Sequence, residues 1–301
     1  MRIQADGYHP ELKSALNHLL NSGGKRIRVA VALLIGGMFR ADPDRLITLA
    51  AAIELLHTAT LVHDDLIDGA LMRRGNPTLN ARWTPAATVL TGDFLFAQAA
   101  NLAADTRSVR VIKLFTETLA IICDGEVTQM FDRETLTDFQ SYSRRIYAKT
   151  ASLFETAAFS AGILSNVDDQ VAEKLKQFGL EIGMAFQIVD DILDFTGEQT
   201  TVGKPVASDL RQGIMTLPVL FYLDQVAHDS VVTAILDHKK VTEDQIQKLL
   251  KAIRACGAVD RALQEAVQHV QRGIDLLSGF PLCTERLALE ELALFIVRRS
   301  K

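Results

Sequence analysis

The sequence predicts an all-α protein, and three observations carry that reading. Only seven prolines occur in 301 residues, and none lies between Pro85 and Pro205. Across that stretch apolar residues recur with a period near 3.6, while period-2 alternation is never sustained. Hydrophobic residues make up 48% of the chain, enough for a large core, and no Gly/Ser/Pro-rich linker or internal repeat divides it. A single domain over residues 1–301 is therefore expected.

The pattern places helices near 10–21, 26–38, 43–69, 84–104, 108–130, 135–162, 168–197, 211–228, 242–256, 258–277 and 284–299. Pro43 followed by Asp44 suits a helix start, and Thr242-Glu243-Asp244-Gln245 has the form of a capping box. Two helices invert the usual amphipathicity. Within 180–196 nearly every face is apolar apart from a stripe of Gln187, Asp190, Asp191 and Asp194. Within 50–69 the matching stripe is His57, Thr60, Asp64 and Asp68. Polar stripes on otherwise apolar helices point to a shared interior cavity, because surface helices are polar around more of their girth.

Those stripes hold two Asp-Asp-x-x-Asp clusters, Asp64-Asp65-Leu66-Ile67-Asp68 and Asp190-Asp191-Ile192-Leu193-Asp194. At i and i+4, Asp64 and Asp68 share a face, as do Asp190 and Asp194. Like charges at that spacing weaken a helix, and carboxylates in apolar surroundings are costly unless neutralised. Converging acidic faces would form an all-oxygen cage for a hard divalent cation such as Mg²⁺, with positions left for a phosphate-bearing substrate. One such cluster is weak evidence, since most are solvated turns. Two, each inside a long apolar run, are not.

Other signals are weaker. Gly23-Gly24-Lys25-Arg26-Ile27-Arg28 sets two glycines before three cations at a helix start, which suits an anion. Lys149-Thr150 interrupts a long apolar helix, and Gly203-Lys204-Pro205 lies in a polar stretch that reads as a loop or a lid. His57 has no His, Cys or Glu at zinc-ligand spacing. No Glu-x-x-His pair supports a di-iron bundle. The net charge of −5 argues against nucleic acid as a partner. Cys123, Cys256 and Cys283 form no disulfide framework, and the N-terminus lacks the order of a signal peptide. A soluble protein of a reducing cytoplasm is expected.

In order, Gly23 to Arg28, His57 to Asp68, Arg73-Arg74-Gly75, Gly92-Asp93, Lys149-Thr150, Phe186 to Asp194 and Gly203-Lys204-Pro205 resemble the motifs of the trans-prenyl diphosphate synthases, or polyprenyl synthetases. The resemblance covers about residues 20 to 225. It implies an isoprenoid synthase fold, helices surrounding a deep central cavity, and head-to-tail condensation of isopentenyl diphosphate onto an allylic diphosphate primer. It further implies two or three Mg²⁺ ions per site, with Asp64, Asp68 and Asp190 as the most direct ligands and Asp65, Asp191 and Asp194 assisting. Lys25, Arg28, His57 and Arg74 match positions that bind isopentenyl diphosphate. Arg73, Lys149, Thr150, Gln187 and Lys204 match those that hold the allylic diphosphate. A homodimer is implied; transient contact with a membrane surface for product release is left open by the sequence.

Two features depart from the family pattern. Many members carry a second lysine about ten residues after Gly-Lys, where this chain reads Gly213-Ile214-Met215. The basic end Arg298-Arg299-Ser300-Lys301 could close the site, although a solvated helix end is an equally good reading. Product length is expected to follow the wall on the helix before Asp64, each turn adding about 5.4 Å. Short-chain members tend to place an aromatic ring five or four residues before that aspartate, where Ala59 and Thr60 stand here, and Leu55 and Leu56 one turn up are no rings either. A product longer than farnesyl and well beyond geranylgeranyl diphosphate is expected, with Phe115, Leu119, Ile122 and Met130 as candidate floor. The alternatives are a geranylgeranyl or farnesyl diphosphate synthase, a terpene cyclase, or a non-catalytic subunit of a heteromeric prenyltransferase. Cyclases usually carry an Asn/Ser/Glu-type second motif, and non-catalytic subunits generally lose motif aspartates. All six are present here.

Overall fold

The computed structural model describes residues 8–21, 23–73, 75–131, 138–196 and 206–299. In chain order its helices are α1 (Pro10–Asn21), α2 (Ile27–Met38), α3 (Pro43–Ile67), α4 (Pro85–Asp105), α5 (Val109–Phe131), α6 (Phe139–Ile146) and α7 (Ser152–Leu164). They continue with α8 (Asp169–Thr196), α9 (Ser208–Arg211), α10 (Leu217–Val226), α11 (Ser230–Leu236), α12 (Glu243–Ala255), α13 (Ala258–Leu277) and α14 (Thr284–Arg298). A π-turn, Tyr147–Ala151, joins α6 to α7. The only strands among the described residues, β1 (Met72–Arg73) and β2 (Asn76–Pro77), form an antiparallel hairpin with Arg73 opposite Asn76. By density of contacts the chain divides into two compact units, Met1–Thr116 with Ala157–Asp168 and Glu117–Thr156 with Asp169–Lys301.

In the first unit α3 is the central element. Asp42 caps it, its carboxylate accepting from the backbone N–H groups of Asp44 and Arg45, and Pro43 fills the first helical position. Apolar residues surround the helix rather than forming one face, so it must be covered on several sides. Val31 and Ile35 of α2, Leu49, Ile53 and Leu56 of α3, and Leu95 and Ala99 of α4 are all buried. The helix is long and apolar enough to cross a membrane, but half of its apolar window is already buried inside the protein.

The second unit is built on α8 against α13. Glu181, buried on α8, accepts from Arg272 Nε at 3.0 Å and Gln177 Nε2 at 2.8 Å, and stands 2.7 Å from His269 Nδ1. Glu181 is buried while Arg272 is half exposed, and the cluster ties α8 to α13 across their contact. Beyond the end of α8, Phe195, Leu210, Met215, Val219, Leu249 and Ile253 pack into an apolar core. Thr242 makes the expected reciprocal capping box with Gln245 at the start of α12.

Three expectations need correction. The helix expected over 135–162 is instead α6, the π-turn and α7, with residues 132–137 outside the described set. The helix expected over 211–228 is divided, because Gly213 adopts φ +78° and α10 starts at Leu217-Pro218. Helix α11 had no place in the sequence reading. It forms because Asp229 accepts from the N–H groups of Val231 and Val232.

Candidate active site

In the first unit the structure gathers residues from α2, α3 and the hairpin. Asp64 lies in the last turn of α3 and Asp68 is its C-cap, the Asp68 N–H donating to the Asp64 carbonyl at 2.8 Å. Asp64 is half-buried, Asp68 exposed and Asp65 buried. Arg73 Nε donates to Asp65 Oδ1 at 2.7 Å, so the middle aspartate already holds an arginine. Arg28 Nη1 lies 3.3 Å from His57 Nε2. Arginine only donates, so Nε2 must accept and the neutral ring carries its proton on Nδ1. Two expected isopentenyl diphosphate ligands, Arg28 and His57, are thereby neighbours. Lys25 is exposed just ahead of α2, and Arg74 lies outside the described residues. Gly92 leaves room for His63, whose Nε2 would stand 2.1 Å from any Cβ added there.

In the second unit the π-turn carries Lys149 and Thr150. A π-turn inserts an extra residue into the helical ladder, and such turns concentrate at functional sites. Glycines on two neighbouring helices admit it. A Cβ on Gly125 of α5 would sit 2.5 Å from Ala148 Cβ, and one on Gly183 of α8 would sit 2.5 Å from Ala151 Cα. We therefore expect Gly183→Ala to lose more through overpacking than it gains in helix propensity, by roughly 1–2 kcal/mol net. Calorimetry should show Tm falling by roughly 2–6 °C. An unchanged or raised Tm would mean that the π-turn has room to move.

Around the turn, Lys149 Nζ donates to Glu126 Oε1 of α5 at 3.0 Å, and Thr150 Oγ1 donates to Gln187 Oε1 of α8 at 2.6 Å. Gln187 Nε2 donates to Asp191 Oδ1 at 2.8 Å, and the Tyr142 hydroxyl of α6 donates to Asp191 Oδ2 at 2.8 Å. Burial pushes the Asp191 carboxyl up to about 7; nearby Asp209 adds to the rise, and the two donated hydrogen bonds oppose it. Asp194 accepts from the Ser208 and Asp209 backbone N–H groups and from the Ser208 hydroxyl, at 3.0–3.2 Å, and so anchors α9. Asp190 and Asp194 are half-buried, and Asp191 is buried.

Of the basic end, Arg298 is exposed and Arg299 turns inward, while Ser300 and Lys301 lie outside the described residues. The Arg299 side chain is only 6% exposed. Its guanidinium lies 4.3 Å from the centre of the Phe186 ring, and Nη1 forms a 3.1 Å ion pair with Asp190 Oδ1 without hydrogen-bond alignment. Arg145 donates from Nη2 to the Met215 carbonyl, which brings a guanidinium to the segment that lacks the second lysine. Glu126, Tyr142, Arg145 and Arg299 were not singled out as site residues from sequence. The basic chain end was the one signal that pointed toward any of them. Lys204 lies outside the described residues. Of the wall residues, Leu56 and Ala59 are buried, and the Thr60 hydroxyl donates to the His57 carbonyl at 2.8 Å. Of the floor candidates, Phe115 and Ile122 are buried, Leu119 is half-buried and Met130 is 40% exposed.

The donor set suits a hard cation. Among the described residues no group of three or more His, Cys, Asp or Glu forms a ready-made metal cluster. Each motif offers carboxylates only, near the C-terminal end of its helix, and neither α3 nor α8 has a basic residue in its last turn. Anions at that pole meet the unfavourable end of the helix dipole, a cost that a divalent cation offsets.

The polyprenyl synthetase family matches residues 9–253. The chain is 37% identical over 294 residues to a heptaprenyl diphosphate synthase component 2 of Geobacillus stearothermophilus, covering 97% of this chain and 91% of that one. It superposes on a polyprenyl synthase of Caulobacter crescentus, solved with calcium and isoprenyl diphosphate, with a TM-score of 0.90 and 35% identity over 96% of this chain and 89% of the other. A decaprenyl diphosphate synthase of Rhodobacter capsulatus gives 0.91 and 30% identity over 100% and 92%. The chain belongs to the polyprenyl synthetase family and has its all-α isoprenoid synthase fold.

Proposed function

We propose that the chain is a trans-polyprenyl diphosphate synthase, a prenyltransferase that adds isopentenyl diphosphate head to tail to an allylic diphosphate and makes a product longer than C20. The observation that carries the reading is the pair of complete acidic motifs on the apolar helices α3 and α8, within a family match spanning most of the chain. That one uninterrupted match also supports treating the chain as a single domain. Relatives named for heptaprenyl and decaprenyl products support the long product.

Ionising an allylic diphosphate puts negative charge on the departing pyrophosphate and positive charge on carbon. Mg²⁺, when bound by Asp64, Asp68 and Asp190, supplies Lewis-acid stabilisation of the pyrophosphate. Lys149 and Arg73 add fixed positive charge in half-buried surroundings, where such charge acts more strongly than in water. Arg28 and His57, with Lys25 and Arg74, hold the isopentenyl diphosphate. The isopentenyl double bond then attacks the allylic carbon, a carbon–carbon bond forms, and the proton released passes to pyrophosphate. The Lys149 ammonium and the Gln187 amide are not bases, so they hold the leaving group and take no proton, while Thr150 holds Gln187.

Purified chain incubated with Mg²⁺, isopentenyl diphosphate and separate C5 to C20 primers tests the reading. Chain elongation past C20 is expected, and release of C15 or C20 as the end product would overturn the length assignment. The name of the Geobacillus relative favours a second reading, in which this chain works as one component of a two-subunit synthase. Activity of the chain purified alone in reducing buffer would remove the need for a second component, and a dimer mass by light scattering would support the homodimer.

Product length gives a sharper test. Ala59 is fully buried on α3, so Ala59→Phe must either enter the space a growing chain uses or overpack the core. We expect a shorter product with kcat retained, and Ala59→Leu should shorten it less. An unchanged product distribution from a folded variant places the wall elsewhere.

A further inference from the structure

We propose that Tyr142 and Asp191 are positioning residues, which hold the Gln187 amide in place by a buried hydrogen-bond chain. The proposal rests on the reading that Gln187 and Thr150 lie in the allylic diphosphate site. Both Asp191 oxygens are committed inside the protein, Oδ2 to the Tyr142 hydroxyl and Oδ1 to the Gln187 amide nitrogen, each at 2.8 Å. Tyr142 is 1% exposed and Asp191 4%, so no water competes for these bonds.

The chemistry of the groups sets the direction of the whole chain. In its ionised form Asp191 only accepts, and the amide nitrogen of Gln187 then faces it, as it does at 2.8 Å. Its amide oxygen then has to face Thr150, and the Thr150 hydroxyl has to donate to it, as it does at 2.6 Å. The usual ambiguity of an amide side chain is thus removed by its neighbours. Two consequences follow for a diphosphate. Thr150 spends its single proton on Gln187 and cannot donate it to phosphate without breaking the chain. Gln187 keeps its second N–H, which is the donor this network offers to a phosphate oxygen. Tyr142 and Asp191 thereby hold one phosphate-binding donor in place from α6 and the core of α8, without touching substrate.

Tyr142→Phe keeps the ring and deletes one donor, and Asp191→Asn keeps the shape but lets the amide of Gln187 turn round. For both we expect binding of a non-ionising allylic thiodiphosphate, read by calorimetry, to weaken roughly tenfold. KM for the primer should rise by a similar factor while kcat changes less than about threefold and half-saturating Mg²⁺ less than about twofold. Asp190→Asn serves as the control and should raise half-saturating Mg²⁺ strongly. If Asp191→Asn raises it as much as Asp190→Asn does, Asp191 is a ligand and the proposal fails. If both variants melt lower yet bind the thiodiphosphate normally, the network is structural only, and the proposal again fails. If Asp190→Asn also leaves Mg²⁺ dependence and thiodiphosphate binding unchanged, the fault lies with the proposed site itself.

Discussion

Asp64→Asn and Asp190→Asn are each expected to lower kcat/KM by about 10²–10³ or more, the scale of removing one charged stabiliser from a dry site. Their effects on stability should differ in size. Asp64 sits four residues before Asp68, both at the negative pole of α3. Neutralising one carboxylate there relieves repulsion within the pair, so Asp64→Asn should cost the metal-free protein less than Asp190→Asn does. Asp190 is instead the ion-pair partner of Arg299, whose side chain is 6% exposed against 39% for Asp190. Asp190→Asn leaves that guanidinium without its counter-charge. Because Asp190 is partly solvated, the cost should stay near 1–2 kcal/mol, below that of a fully buried pair. Isopentenyl incorporation and thermal melting without metal check both halves. Wild-type turnover from either folded variant would remove its carboxylate from the chemistry.

That difference between two identical motifs shows where sequence reading stops. The motifs themselves, their helices and their apolar surroundings were all legible, because an i, i+4 acidic pair in greasy sequence is a local pattern. What each aspartate touches is not local. Asp65 meets Arg73 from the hairpin, Asp191 meets Tyr142 from α6, and Asp190 meets Arg299 from the end of the chain. Partners 8, 49 and 109 positions away leave no periodic trace, and a lone tyrosine or arginine carries no motif.

The π-turn was hidden for another reason. One inserted residue hardly shifts apolar spacing within a 28-residue window such as 135–162, so the segment reads as a plain helix. Its signal lay elsewhere, in Gly125 and Gly183 on the helices packed against it. Helix α11 escaped notice because seven residues make too short a window for a 3.6 period.

Lys149→Met is the second variant expected to cost about 10²–10³ in kcat/KM, and its loss should be partly reversible by a change at Glu126. Lys149 Nζ and Glu126 Oε1 stand 3.0 Å apart, with the lysine side chain 35% exposed and the glutamate 15%. The carboxylate therefore keeps the lysine oriented and lowers the net positive charge that an incoming diphosphate meets. Deleting the lysine alone removes one attraction and leaves a poorly solvated anion facing the substrate's charge. Glu126→Gln added to Lys149→Met takes away that repulsion and should restore roughly tenfold of the lost kcat/KM. In the wild-type background Glu126→Gln should tighten primer binding but lower kcat, because the lysine loses the partner that aims it. Steady-state kinetics on the four proteins of this cycle give the coupling directly. A double variant no better than Lys149→Met would show that Glu126 lies outside the electrostatics of the leaving group, and that the ion pair serves only to pin the π-turn to α5.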